Sequence, residues 1–296
     1  MEIRCREILA AASEQEVSDL YLQVATERMY RKYNDVYRAY ELCMNDWNQT
    51  CYRLLLRMMD IGSNKEAYTK LSETITYRHI MREAHSLPNL EALLLCGSGL
   101  LYRYAEDDYT VDIKERWNHL ANKYRLSSMR MTDWDLTTIR PYNHPVLRIS
   151  QLANLLHHEE FIVNRTVACN SAKDIEELFC VEASEYWSNH AFAQGVNLDF
   201  PKRIGKAKSH LLGINLVVPM RAAYLQSIGS GPKDIHAENM ELLRQIPAED
   251  NRYTRQWQHI GSKPKNALES QAIIQITTEY CLRGRCAECP LMAIGR

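Results

Sequence analysis

Leu90–Tyr102 reads LEALLLCGSGLLY. Its residues are apolar almost without interruption, and they lack the two-residue alternation of a half-buried strand. A helix that is apolar all round belongs in the centre of a fold, so this run is expected to be a buried central helix. Gly97-Ser98-Gly99 lacks the glycine spacing and the lysine of a phosphate loop and follows no strand pattern. Close approach of packed helices explains these glycines better.

Outward from this run, punctuation is sparse. Only 11 Gly and 9 Pro occur in 296 residues, which means few turns and long helices. The chain is 46% hydrophobic and 25% charged, enough for a substantial core, and its formal net charge is −1. That balance excludes a polycation, so any nucleic-acid surface is a local patch. The first residues lack the apolar core of a secretory signal. The longest apolar run, Leu211–Met220, is far short of the ~20 residues that span a bilayer. A soluble, cytoplasmic protein without a membrane partner is expected, with its nine Cys mostly reduced.

Helical periodicity recurs along the chain. Tyr30, Tyr33, Tyr37 and Tyr40 form a stripe at three- and four-residue steps, interleaved with Arg31, Lys32 and Arg38. Such a stripe suits a partner helix or stacked bases, but an ordinary packing stripe is the plainer reading. Asn45 or Asp46 caps the next helix, with Gly62 closing it. Ser63–Glu66 has the S-x-x-E form of a capping box, and Pro88-Asn89 is expected to break a helix. Ser127–His144 has no clear period and reads as a long connection, with Trp134 pinned to the core. His144 and Pro145 then open a helix. Ser171–Asp174 caps another, Asp234 a third and Asn266 the last, while Pro219 is expected to kink its own. The reading is all-α: a multi-helix array in two halves, 1–140 and 141–296, that share one core.

Few residues carry legible chemistry. His157, His158, Glu159 and Glu160 are adjacent, so they point in different directions and do not match a helical zinc-protease motif. Two basic segments are better candidates. Lys202, Arg203, Lys206 and Lys208 meet the start of an apolar helix, where free N–H groups favour an anion. Arg252 and Arg255 lie beside Trp257. The terminal helix stops at Cys281, and Cys286 and Cys289 follow in a C-x4-C-x2-C spacing. A C-x2-C turn sets two thiolates within reach of one metal, zinc or an iron–sulfur cluster. Three ligands stand where four are wanted, and His259, Cys169 or Cys180 are candidates for the fourth.

Four blocks, LPNLEALLLCGSGLL, RPYNHPVLRISQLANLL, IGKAKSHLLGINLVVPM and RQWQHIGSKPKNALESQAIIQITTEYC, resemble an uncharacterised bacterial family catalogued as domain of unknown function twenty-eight fifty-one. The residues on family-like motifs are Arg140, Pro141, Asn143, Pro145, Arg148, Gln151, Gly205, Lys206, Asn215, Pro219, Trp257, Gln271 and the three tail Cys. The resemblance implies a further N-terminal region with Gly-Pro-Asp-Phe and Glu-Ile-His motifs like those of a restriction nuclease. Neither motif occurs in this chain, which is then expected to be the helical part without that chemistry.

The leading functional expectation is a non-enzymatic helical binding module. It engages nucleic acid or another anion through Arg140, Arg148, Lys202, Arg203, Lys206, Lys208, Arg252 and Arg255. A metal- or iron–sulfur-bearing enzyme or accessory domain using Cys281, Cys286 and Cys289 is the second reading. The third is a helical protein–protein or oligomerisation domain using the Tyr stripe. No acid–base pair or nucleophile is legible.

Overall fold

The computed structural model describes residues 2–60, 62–103, 106–137, 139–159, 161–190 and 201–294. The fold is all-α. Among the described residues the only β features are two isolated antiparallel bridges, Glu182 with Arg203 and Pro247 with Asn266. No described helix is long and apolar enough to cross a membrane. Glu160 lies outside the described residues.

Two compact units are built from discontinuous segments. One comprises Met1–Arg38, Cys169–Asp174 and Gly213–Arg296; the other comprises Ala39–Ala168 and Ile175–Leu212. The irregular segment expected to be a seam is tied into the second unit: Met129 N–H donates to the Gly97 carbonyl (2.8 Å) and Trp134 Nε1 to that of Ser98 (2.8 Å).

In the second unit the central run is helix α1, Leu87–Glu91, continued by a π-helical turn at Ala92–Cys96. Every residue from Leu90 to Leu101 is buried. Helices α2 (Asp108–Tyr124) and α3 (Pro145–His158) pack against it. A Cβ on Gly97 would stand 2.9 Å from Ile75 Cγ1, as close packing requires. Pro88 sits in the first turn of α1 and opens it rather than breaking a helix, because Ser86 caps and the first turn needs no proline N–H. The S-x-x-E expectation also fails. Helix α4, Lys65–Thr74, has Asn64 as N-cap without a side-chain cap bond. The Asn64 amide instead exchanges hydrogen bonds with the backbone of Asp135 (2.8 Å each), a tertiary contact that overrides the local motif.

Asp107 caps α2. It accepts from Thr110 N–H (2.8 Å) and from the Tyr186 hydroxyl (2.6 Å). Asp107→Ala is expected to destabilise the chain by about 1–2 kcal/mol. Urea denaturation checks this, and an unchanged midpoint would refute the assignment.

In the first unit, helix α5 (Glu14–Leu42) contributes its residues up to Arg38. Lys32 Nζ donates to Gln271 (2.7 Å), Asn215 (2.9 Å) and the Ile214 carbonyl (3.2 Å), and Arg28 Nε donates to Gln271 (2.6 Å). Burial, then the Arg28 charge, hold the Lys32 ammonium well below its ordinary pKa. Pro219 stands in the first turn of the helix Val218–Ser227. A π-helical turn at Gly213–Val217 precedes it, and Lys32 supplies the Ile214 carbonyl with a donor that proline lacks. Gly231, rather than Asp234, is the N-cap of helix α6, Pro232–Gln245. The Tyr stripe is partly internal: Tyr33 and Tyr37 rings lie 4.8 Å apart and Tyr40 stacks on Trp47 at 4.0 Å.

Candidate functional site

His144 and Pro145 begin α3 as the sequence suggests, with His144 Nδ1 accepting from Val146 N–H (3.3 Å). This start fixes the face on which Arg148 and Gln151, three residues apart, share one side of the helix. Arg148 is only 6% exposed. Its Nη1 donates to Gln151 Oε1 (2.9 Å) and its Nη2 to Asn143 Oδ1 (2.8 Å). Both partners are neutral amides. Its Nε is buried with no hydrogen-bond partner among the described residues, and so is the hydroxyl of Tyr68.

Lys208 belongs to the same surroundings. It lies in the short helix Lys206–Leu212, where the Lys208 and Ser209 N–H groups donate to the Gly205 carbonyl (3.0 and 3.1 Å). Its Nζ donates to the Met58 carbonyl (2.5 Å), again a neutral partner. Burial, reinforced by the nearby Arg148 charge, pushes the Lys208 ammonium down to about 7. Burial likewise lowers the Arg148 guanidinium, against the fields of Tyr68, Tyr142 and Asp60. Asp60 is the carboxylate whose field reaches both cations. Its own oxygens already accept from the backbone N–H groups of Gly62 (3.0 Å) and Asn64 (2.6 Å). Two desolvated cations thus face one shared carboxylate, with a guanidinium N–H and a phenol unused. Such a donor-rich cluster of buried side chains complements an anion.

The other expected residues are distributed around and beyond this site. The Lys202 carbonyl accepts from Gln151 Nε2 (3.0 Å), which joins the 202–208 segment to α3. Arg140 bonds the Tyr142 hydroxyl (2.8 Å). Arg203 is exposed and held by its backbone bridge to Glu182. Lys206 is exposed and paired with Glu176 (2.7 Å). Arg252 and Arg255 belong to the first unit, where Arg252 lies over the Tyr253 ring (4.5 Å) and Arg255 pairs with Asp250 (2.9 Å). Sequence reading found Arg148 and Lys208 but missed Asp60 and Tyr68, which tertiary folding alone brings to them. His157 Nδ1 engages the Ala84 carbonyl (2.7 Å) and Glu159 pairs with Arg165 (2.8 Å), so both are structural.

The tail Cys lie in the first unit. Cys281 ends a π-helical turn, Ile276–Cys281, and a 3₁₀ turn joins Cys286 to Cys289, whose N–H donates to the Cys286 carbonyl (3.2 Å). The expected fourth ligands are placed otherwise. Cys180 contacts Ser209 Oγ (3.3 Å), and Cys169 is buried with its carbonyl accepting from Arg221 (2.8 Å). Cys5, on helix α7 (Glu2–Ala11), is the thiol that joins them. It lines a cavity of ≈ 260 Å³ together with Cys281, Trp257, Ile260 and Leu282. Arg6 anchors α7 by donating to the His259 carbonyl (2.7 Å). Burial, then the fields of Cys289, Cys5 and Cys286, push the Cys281 thiol up to about 11. Among the described residues no three His, Cys, Asp or Glu are arranged to hold a single metal ion.

A family model described as a protein of unknown function (DUF2851) matches residues 1–252. It includes Arg148 and Lys208 and stops short of the tail Cys. No curated protein and no solved structure matches the chain.

Proposed function

Because the chain belongs to the DUF2851 family of proteins of unknown function, membership brings no activity with it, and we propose on geometry that it is a helical module binding the phosphate groups of nucleic acid. The observation that carries this reading is the buried Arg148. Its guanidinium has only neutral amide partners, and its Nε is left without one. Lys208 and Tyr68 add donors of the same kind. A phosphate oxygen would satisfy the idle Nε and the Tyr68 hydroxyl and would neutralise the excess positive charge. Exposed Arg203 and Arg140, with the half-buried Lys202, supply a cationic approach in the same unit.

The test is binding of a labelled single-stranded oligonucleotide at two salt concentrations, with inorganic phosphate as competitor. A phosphate-driven contact weakens steeply as salt rises. No binding at low salt, or binding indifferent to salt, would sink the reading.

Lys208 also sets a pH dependence. Its folded pKa of about 7 lies below the unfolded value of about 10.4. Between these values the unfolded chain holds more protons, so stability contributed by this group rises with pH from about 7 towards about 10. Phosphate affinity should move the opposite way, falling as Lys208 loses its proton. Denaturation midpoints and affinities at pH 6.5 and 8.5, for the wild type and Lys208→Met, check both trends. Equal pH profiles in the two proteins would refute the role of this lysine.

A further inference from the structure

We propose that Cys5, Cys281, Cys286 and Cys289 together ligate an iron–sulfur cluster of the four-iron type. Three separate elements supply the sulfurs. Cys5 comes from α7, Cys281 from the end of the π-helical turn, and Cys286 and Cys289 from one 3₁₀ turn. Helix α7 is held against this region twice: by Arg6 on the His259 carbonyl, and by packing on the last helix, Leu291–Ile294. Cys5 is therefore the ligand missing from the C-x4-C-x2-C spacing, 276 residues upstream of Cys281 by their numbers (281 − 5).

Ligand number and type suit the cluster, since four cysteine thiolates hold a four-iron centre. Space suits it as well. A single zinc draws its sulfurs to about 2.3 Å from one point, whereas Cys5 and Cys281 stand on the wall of a ≈ 260 Å³ cavity. The buried Trp257 and Ile260 give that cavity an apolar wall beside Gln256 and Thr277. None of the four thiols is in a disulfide. The elements that carry them pack on one another in turn: the π-helical turn on the 3₁₀ turn, the 3₁₀ turn on the last helix, and the last helix on α7. Assembly takes up two ferrous and two ferric ions with four inorganic sulfides, and each ligating thiol gives up its proton to solvent as its iron–sulfur bond forms.

The experiment is metal and sulfide analysis of the full chain, expressed and purified without oxygen. About four iron and four acid-labile sulfide per chain are expected, with a broad visible absorption that dithionite bleaches. Cys5→Ala should lose at least half of the iron, and Cys43→Ala, a cysteine of the other unit, should keep all of it. Zinc in place of iron, a metal-free native protein, or full iron retention in Cys5→Ala would each overturn the proposal. Should Cys5→Ala fail to fold, alkylation of the native protein decides. The four thiols should resist labelling until a chelator is added, while Cys43 labels throughout. Labelling of all four without chelator overturns the assignment.

Discussion

Gly99→Ala is expected to destabilise the chain by about 3 kcal/mol or more. Two costs combine. Gly99 has φ +77°, in the left-handed region, where an L side chain is strained by about 1–2 kcal/mol. The new Cβ would also stand 2.2 Å from the Met129 carbonyl oxygen. That oxygen is backbone and cannot rotate away, so the 127–134 segment must move. Its anchors, the Met129–Gly97 and Trp134–Ser98 bonds, would stretch with it. Trp134 also meets Tyr68 edge-on at 5.0 Å, so the disturbance reaches the phenol beside Arg148. Against a typical total of about 5–15 kcal/mol, this loss is readable as a large fall in the urea midpoint. A change under about 1 kcal/mol would mean that the turn is not closed as described.

Arg148→Met should abolish most of the phosphate affinity, by at least about 2 kcal/mol, or roughly thirtyfold. The side chain keeps an unbranched stem as far as the Nε position and loses its charge and its fork of donors. Unliganded stability should change less, because two effects oppose. Gln151 and Asn143 lose their donor, at about 1–3 kcal/mol. Removing a buried, incompletely neutralised charge returns part of that. Arg148→Lys separates charge from shape: a point charge without the planar fork should recover only part of the affinity. Titration calorimetry with the oligonucleotide, paired with melting in its presence and absence, reads both quantities. Wild-type affinity in Arg148→Met would end the case for this site.

The helical class was legible because the signals that decide it are local. The apolar run at Leu90–Leu101, the His144-Pro145 start and the Asn266 cap depend on residues a few positions apart, and each sits as its neighbours dictate. The failures share one cause. The capping box at Ser63 lost to a partner 71 residues away, Asp135, and no window contains both. The candidate anion site was half visible. Arg148 and Lys208 lie in basic or family-like segments, but burial is what distinguishes them from Arg203 and Lys206, and burial is a property of the whole unit. Cys5 carried no local signal, being one cysteine in a helix without others.

The interleaving of the two units bears on synthesis. Residues 14–38 leave the ribosome well before 213–296, the segment that completes their unit. At about 5–20 residues per second, the interval is roughly ten to thirty-five seconds. During it, Arg28, Arg31 and Lys32 have none of the partners that Gln271, Gln275 and Glu279 later provide. Those charges keep the waiting helix hydrated. The same side chains that would be costly to bury alone delay its collapse until the chain that neutralises them has been made.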